Sequence, residues 1–101
     1  MPKKVMFLLD KSDDEKNTLD ALRSTLGLSV ANHYSYAVVM NHDLAKFDDY
    51  NAENVDWIRD MEGEVFSTEQ ANVDTNGLTA ISLEEVGQKL REMDVIIPYG
   101  N

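Results

Sequence analysis

Val5-Met6-Phe7-Leu8-Leu9 leads directly into Asp10-Lys11-Ser12-Asp13-Asp14-Glu15. Five consecutive apolar residues without polar alternation predict a strand covered on both faces, as in a parallel sheet with helices above and below. Ser12 stands three residues before Glu15, the spacing of a capping box, and predicts the start of a helix. A buried strand followed by a capped helix is the first half of a βαβ unit. Ligands in open α/β sheets sit just beyond the carboxyl ends of the strands, so the loop at Asp10, Lys11 and Ser12 is expected to border any site.

Working outward, Leu19, Leu22, Leu26 and Val30 recur at three- and four-residue steps and predict one apolar face of a helix from about Asp13 to Ala31. Tyr34 to Met40 is aromatic and β-branched, a second strand expected to pair in parallel with the first through a right-handed crossover. Val55, Ile58 and Met61 keep a helical spacing, with Trp57 alongside, and predict a second helix from about Ala52 to Glu62. Gly63 then serves as its left-handed C-terminal residue. Glu64 to Thr68 reads as a short third strand. Glu69 to Asn76 is open between one helical turn and a loop, closed by the turn pair Asn76-Gly77. Leu78 to Ile81 reads as a further short strand. Ser82 and Glu85 form a second capping box, and Leu83, Val86, Leu90 and Met93 make the buried face of a final helix that Asp94 ends. Val95-Ile96-Ile97 is a last buried strand, stopped by Pro98. The pattern predicts an α/β three-layer sandwich with a mostly parallel sheet of four or five strands, as a single domain over 1–101.

Composition narrows the function classes. The 101 residues are enough for one core. They hold no run of about 18 apolar residues and no basic-then-apolar leader, so a cytoplasmic protein without a membrane span is expected. No cysteine is present, which excludes disulfides, thiolate metal sites and thiol nucleophiles. Nineteen acidic residues against nine basic ones give a formal net charge of −10, which argues against nucleic-acid binding. The acids are spread along the chain and read mainly as solvated surface.

Candidate chemistry is sparse. A phosphate or nucleotide site after the first strand calls for glycines or a P-loop lysine, and Asp10 to Glu15 offers only carboxylates that repel an anion. A receiver-type phosphoacceptor arrangement lacks its second aspartate and its late lysine. His33 and His42 flank the second strand and are expected at its opposite ends, too far apart to share a metal. No cofactor is implied. His42 and Asp43 with Ser67 or Thr68 are the residues a hydrolase-like enzyme would use, although neither hydroxyl sits in a nucleophile elbow between glycines. Among Tyr34, Tyr36, Phe47, Tyr50 and Trp57, most are expected in the core. Tyr50 and Trp57 lie in the less regular segment, where a hydrophobic patch would form a subunit contact.

Three stretches together resemble the DsrE/DsrF-like family of small sulfur-relay proteins, which includes the TusD-type subunits. Ala21-Leu22-Arg23-Ser24-Thr25-Leu26-Gly27-Leu28 leading to Ala37-Val38-Val39-Met40 is similar to the family's first helix and following strand. Gly63-Glu64-Val65-Phe66-Ser67-Thr68 through Asn76-Gly77-Leu78 resembles its glycine, strand, active-site loop and helix ending in a glycine-hydrophobe pair. Leu83-Glu84-Glu85-Val86 to Asp94-Val95-Ile96-Ile97 resembles its closing helix, aspartate and strand. The resemblance implies a flavodoxin-like fold, assembly into homo-trimers or hexamers and protein partners of a sulfur-relay type. In sulfurtransferase members it also implies a persulfide-carrying cysteine just after the third strand. That position falls within Ser67, Thr68 and Glu69. A hydroxyl or carboxylate cannot store a persulfide, so the chain resembles the members that lack the cysteine and is not expected to carry sulfur. The expected pocket is bordered by Asp10, Lys11, Ser12, Asn41, His42, Asp43, Ser67, Thr68 and Glu69.

Overall fold

A computed structural model of the chain describes residues 3–10, 15–31, 33–40 and 43–99, with the backbone alone at 10, 15–21 and 99. The apolar run at Val5 forms β1 (Lys4–Asp10), followed by α1 (Glu15–Val30), β2 (Tyr34–Met40), α2 (Asp49–Asp60), β3 (Glu64–Ser67), α3 (Gln70–Asn76), β4 (Thr79–Ala80), α4 (Leu83–Leu90) and β5 (Val95–Tyr99). All pairings are parallel and the order is β4-β3-β2-β1-β5. The chain steps outward from β1 to β4, then crosses back through α4 to set β5 on the far side of β1. Because parallel crossovers are right-handed, that reversal moves α4 to the opposite face from the earlier helices.

Two apolar layers follow. On one face Val5, Phe7, Leu9, Ala37, Val39 and Val65 pack with Leu22 of α1, Val55 and Ile58 of α2, and Leu44, Phe47 and Leu78. On the other, Met6, Val38, Met40 and Phe66 pack with Ile81 and Val86, with Leu90 and Met93 partly buried against them. Alternate residues of β1 therefore go to opposite layers, as an apolar run without polar alternation requires. The architecture is the expected three-layer α/β sandwich, with five strands, all parallel.

The structure corrects several boundaries. α2 begins at Asp49, three residues before the expected start, because the Asp48 carboxylate caps it by accepting the Asn51 N–H at 2.9 Å. Its C-terminus is a Schellman closure: the Gly63 N–H reaches the Ile58 carbonyl at 2.9 Å and the Glu62 N–H reaches Arg59 at 3.0 Å. The left-handed residue is thus Glu62, with φ 68°, and not Gly63. Gly63 is required for close approach, since a Cβ there would lie 2.1 Å from the Ser35 carbonyl oxygen. Val30 and Leu83, expected in buried faces, are exposed at the last and first turns of their helices, where the periodic stripe overhangs the sheet. β5 runs through Pro98 to Tyr99 and exposes Val95 and Ile96, because it is an edge strand and tolerates a residue without an N–H. Asp94 does not end α4, which stops at Leu90 with Arg91 as its cap; its contacts are with β1. Its N–H donates to the Lys4 carbonyl at 2.8 Å and its carboxylate accepts the Lys4 N–H at 2.9 Å, fixing the start of the β1–β5 register.

The capping box of α4 is present in both directions, Ser82 Oγ accepting from Glu85 N–H and Glu85 Oε1 from Ser82 N–H, each at 3.1 Å. The capping box expected at Ser12 and Glu15 lies outside the described residues, Ser12 in its backbone and Glu15 in its side chain. No helix among the described residues is long and apolar enough to cross a membrane.

Candidate functional site

Parallel register brings the carboxyl ends of the central strands together: Asp10 stands beside Met40, and Val39 beside Ser67. Of the residues expected to border a pocket there, Lys11, Ser12, Asn41 and His42 lie outside the described residues, as does the Asp10 side chain. Asp43 is exposed. Ser67, Thr68 and Glu69 follow one another at the end of β3 and the start of α3.

Ser67 is 1 % exposed, and its hydroxyl is fully engaged. Oγ donates to the Val39 carbonyl at 3.0 Å and accepts both the Glu69 N–H and the Asn72 Nδ2 at 3.0 Å. One donor and two acceptor sites are all that a serine hydroxyl has. Asn72, itself 0 % exposed, uses Oδ1 to accept the Leu44 N–H at 2.7 Å. One turn later Asn76 accepts the Phe47 N–H at 2.7 Å and donates to the Ala45 carbonyl at 3.0 Å. The two asparagines of α3 thereby hold the segment 43–48 against the end of β3. Thr68 Oγ1 donates to Glu69 Oε2 at 3.2 Å.

This arrangement does not favour a hydrolase. A nucleophilic hydroxyl needs its proton directed to a base. The proton of Ser67 goes to a main-chain carbonyl, which is not a base. His33 has a structural partner as well: its Nδ1 accepts the Lys3 N–H at 3.1 Å. Among the described residues no group of three or more His, Cys, Asp or Glu side chains is arranged to hold a metal ion.

Asn72 was not singled out by the sequence, and Asn76 only as a turn residue before Gly77, although two asparagines four apart on a short helix are poor helix formers and lie on one face. A similar signal sits in α2, where Asn51, Asn54, Val55 and Ile58 share the buried stripe. Asn51 Nδ2 donates to Asp48 at 2.8 Å. The Asn54 Nδ2 and the Ser35 hydroxyl are buried with no hydrogen-bond partner among the described residues.

Described residues also form two clefts away from the strand carboxyl ends. One, of about 440 Å³, lies near the amino end of β2 and is lined by Ser29, His33, Tyr34, Asp60 and Glu62 among others. The second, of about 380 Å³, lies between α1 and α2 and is lined by Leu26, Val30, Tyr50, Glu53, Asn54 and Trp57.

These features define an α/β protein of flavodoxin-like, DsrE-like fold with a buried polar lock at the end of its third strand. No protein-family model matches the chain, and no curated protein matches it by sequence. In three dimensions it is similar to the ychN protein from E. coli, known from its crystal structure, with a TM-score of 0.68 at 11 % sequence identity over 95 % of this chain and 98 % of that one. At that identity the likeness is one of fold.

Proposed function

We propose that this chain is a non-catalytic DsrE-like subunit that assembles with copies of itself and acts as an accessory or binding component related to sulfur-relay proteins. The supporting observation is the state of the stretch Ser67 to Glu69, within which sulfur-carrying relatives are expected to place a thiol: it offers hydroxyls and a carboxylate, and the Ser67 hydroxyl is committed to three hydrogen bonds. The 101 residues hold no cysteine that could take its place. The shared fold supports the relationship, and the strand ends remain the expected edge of a small-ligand pocket.

Incubation with a fluorophosphonate probe, followed by mass-spectrometric mapping, tests the non-catalytic reading. The expected result is no adduct on the peptide carrying Ser67 and Thr68. A stoichiometric adduct that disappears in Ser67→Ala overturns it.

A further inference from the structure

Helix α2 carries two adjoining stripes. Tyr50, Asn54 and Trp57 follow at four- and three-residue steps, and Asp49, Glu53, Asp56 and Asp60 run beside them at the same spacing. Tyr50 and Trp57 are 57 % and 50 % exposed, and Val30, facing them from α1, is 64 % exposed. Together with Leu26 these three side chains give the α1–α2 cleft an apolar lining. Asn54, also in that lining, is only 6 % exposed, and its Nδ2 has no acceptor among the described residues. A buried amide donor without a partner is unfavourable and is satisfied by an incoming acceptor. Exposed tryptophan and tyrosine around such a donor are the composition of an interface centre. The acidic stripe sets the charge of what can approach.

We propose that this cleft docks a basic amphipathic segment of a partner protein. An apolar side chain of the segment enters between Val30, Tyr50 and Trp57. A hydrogen-bond acceptor meets the Asn54 Nδ2, and Lys or Arg residues flanking the apolar face pair with Glu53 and its neighbours on α2. A helix with an apolar face in a groove is a recurring mode of this kind. Charge complementarity selects this occupant over others. An isologous pair of copies would set the same acidic stripe against itself, on a chain of net charge −10. A nucleic acid or an anionic lipid surface would be repelled for the same reason. The proposal uses a surface separate from the strand ends and requires that the cleft stay open when the subunits assemble.

Trp57 is the single tryptophan of the chain, so its emission reports directly on the cleft. The full chain is titrated with two synthetic helical peptides of about 18 residues, one of Leu and Lys at amphipathic spacing and one with Glu in place of Lys. A saturable blue shift with the Leu–Lys peptide and none with the Leu–Glu peptide is expected. By calorimetry, Glu53→Lys and Asn54→Leu each weaken the Leu–Lys peptide by roughly fivefold or more. Glu92→Lys, the same charge change on the turn after α4, leaves affinity within about twofold. The proposal is overturned if both peptides bind alike, or if Glu92→Lys weakens binding as much as Glu53→Lys, which is generic charge attraction. It is also overturned if Glu53→Lys changes the assembly mass by light scattering, which would make the cleft a subunit contact.

Discussion

The amide of Asn72 bridges two parts of the chain: its Nδ2 donates to the Ser67 hydroxyl at 3.0 Å, and its Oδ1 accepts the Leu44 N–H at 2.7 Å. One buried side chain therefore couples the end of β3, the start of α3 and the segment that leads into α2. Removing it leaves a buried backbone donor unpaired and a serine with one partner fewer. Asn72→Ala is expected to cost about 2–4 kcal/mol, measured as a shift of the urea midpoint. A loss below about 0.5 kcal/mol would mean that the network does not hold the loop.

Gly63 stands where β3 enters the sheet beneath the end of α2. A methyl group there meets the Ser35 carbonyl oxygen at 2.1 Å and Ile58 Cγ2 at 2.9 Å, and the backbone oxygen cannot swing aside as a flexible side chain would. Gly63→Ala is expected to destabilise the fold by about 3 kcal/mol, the upper part of the range for overpacking. Thermal unfolding followed by circular dichroism measures it, and an unchanged midpoint would show that the approach is not tight.

The two preceding features mark what the sequence could and could not reveal. The run Val5–Leu9 was legible because uninterrupted apolar residues have few alternatives to a doubly covered strand, and Ser82 with Glu85 because a capping box is a local device. The start of α2 was not, since Asp48 lies seven residues before the first apolar position, Val55, of the expected helix. Gly63 was read for its backbone freedom when its lack of a Cβ was what mattered. At the site, Ser67, Thr68 and Glu69 could be named from order along the chain. Asn72 and Asn54 could not, and Asn76 was read only as a turn residue, because sequence patterning reads a polar residue as exposed unless a partner many residues away buries it.

Asn54 should trade stability against recognition. Its Nδ2 is buried without a partner among the described residues, so Asn54→Leu removes an unsatisfied donor and adds apolar surface beside Leu26 and Val30. The free protein is expected to gain about 1 kcal/mol in urea denaturation. A loss of stability would show that the amide is held by an acceptor in solution.

Tyr36, half-buried on the α4 face, has its phenol pushed above the usual tyrosine range, first by burial and then by the nearby charges of Glu92, Tyr34 and Glu62. The folded state thus keeps the phenolic proton to higher pH than the unfolded chain. Above about pH 10 the native state binds more protons, so this stability is fully present below the unfolded pKa and is lost as pH rises from there through the folded pKa. Urea midpoints from pH 8 to 11 should fall less steeply for Tyr36→Phe than for the parent chain. Identical slopes would show that Tyr36 does not contribute.

The proposed role as one subunit of a homo-oligomer is tested most directly by size-exclusion chromatography with multi-angle light scattering at micromolar concentration. The account predicts a single species of three or six times the 11.4 kDa chain mass. A monodisperse species at the mass of one chain across that concentration range would contradict it.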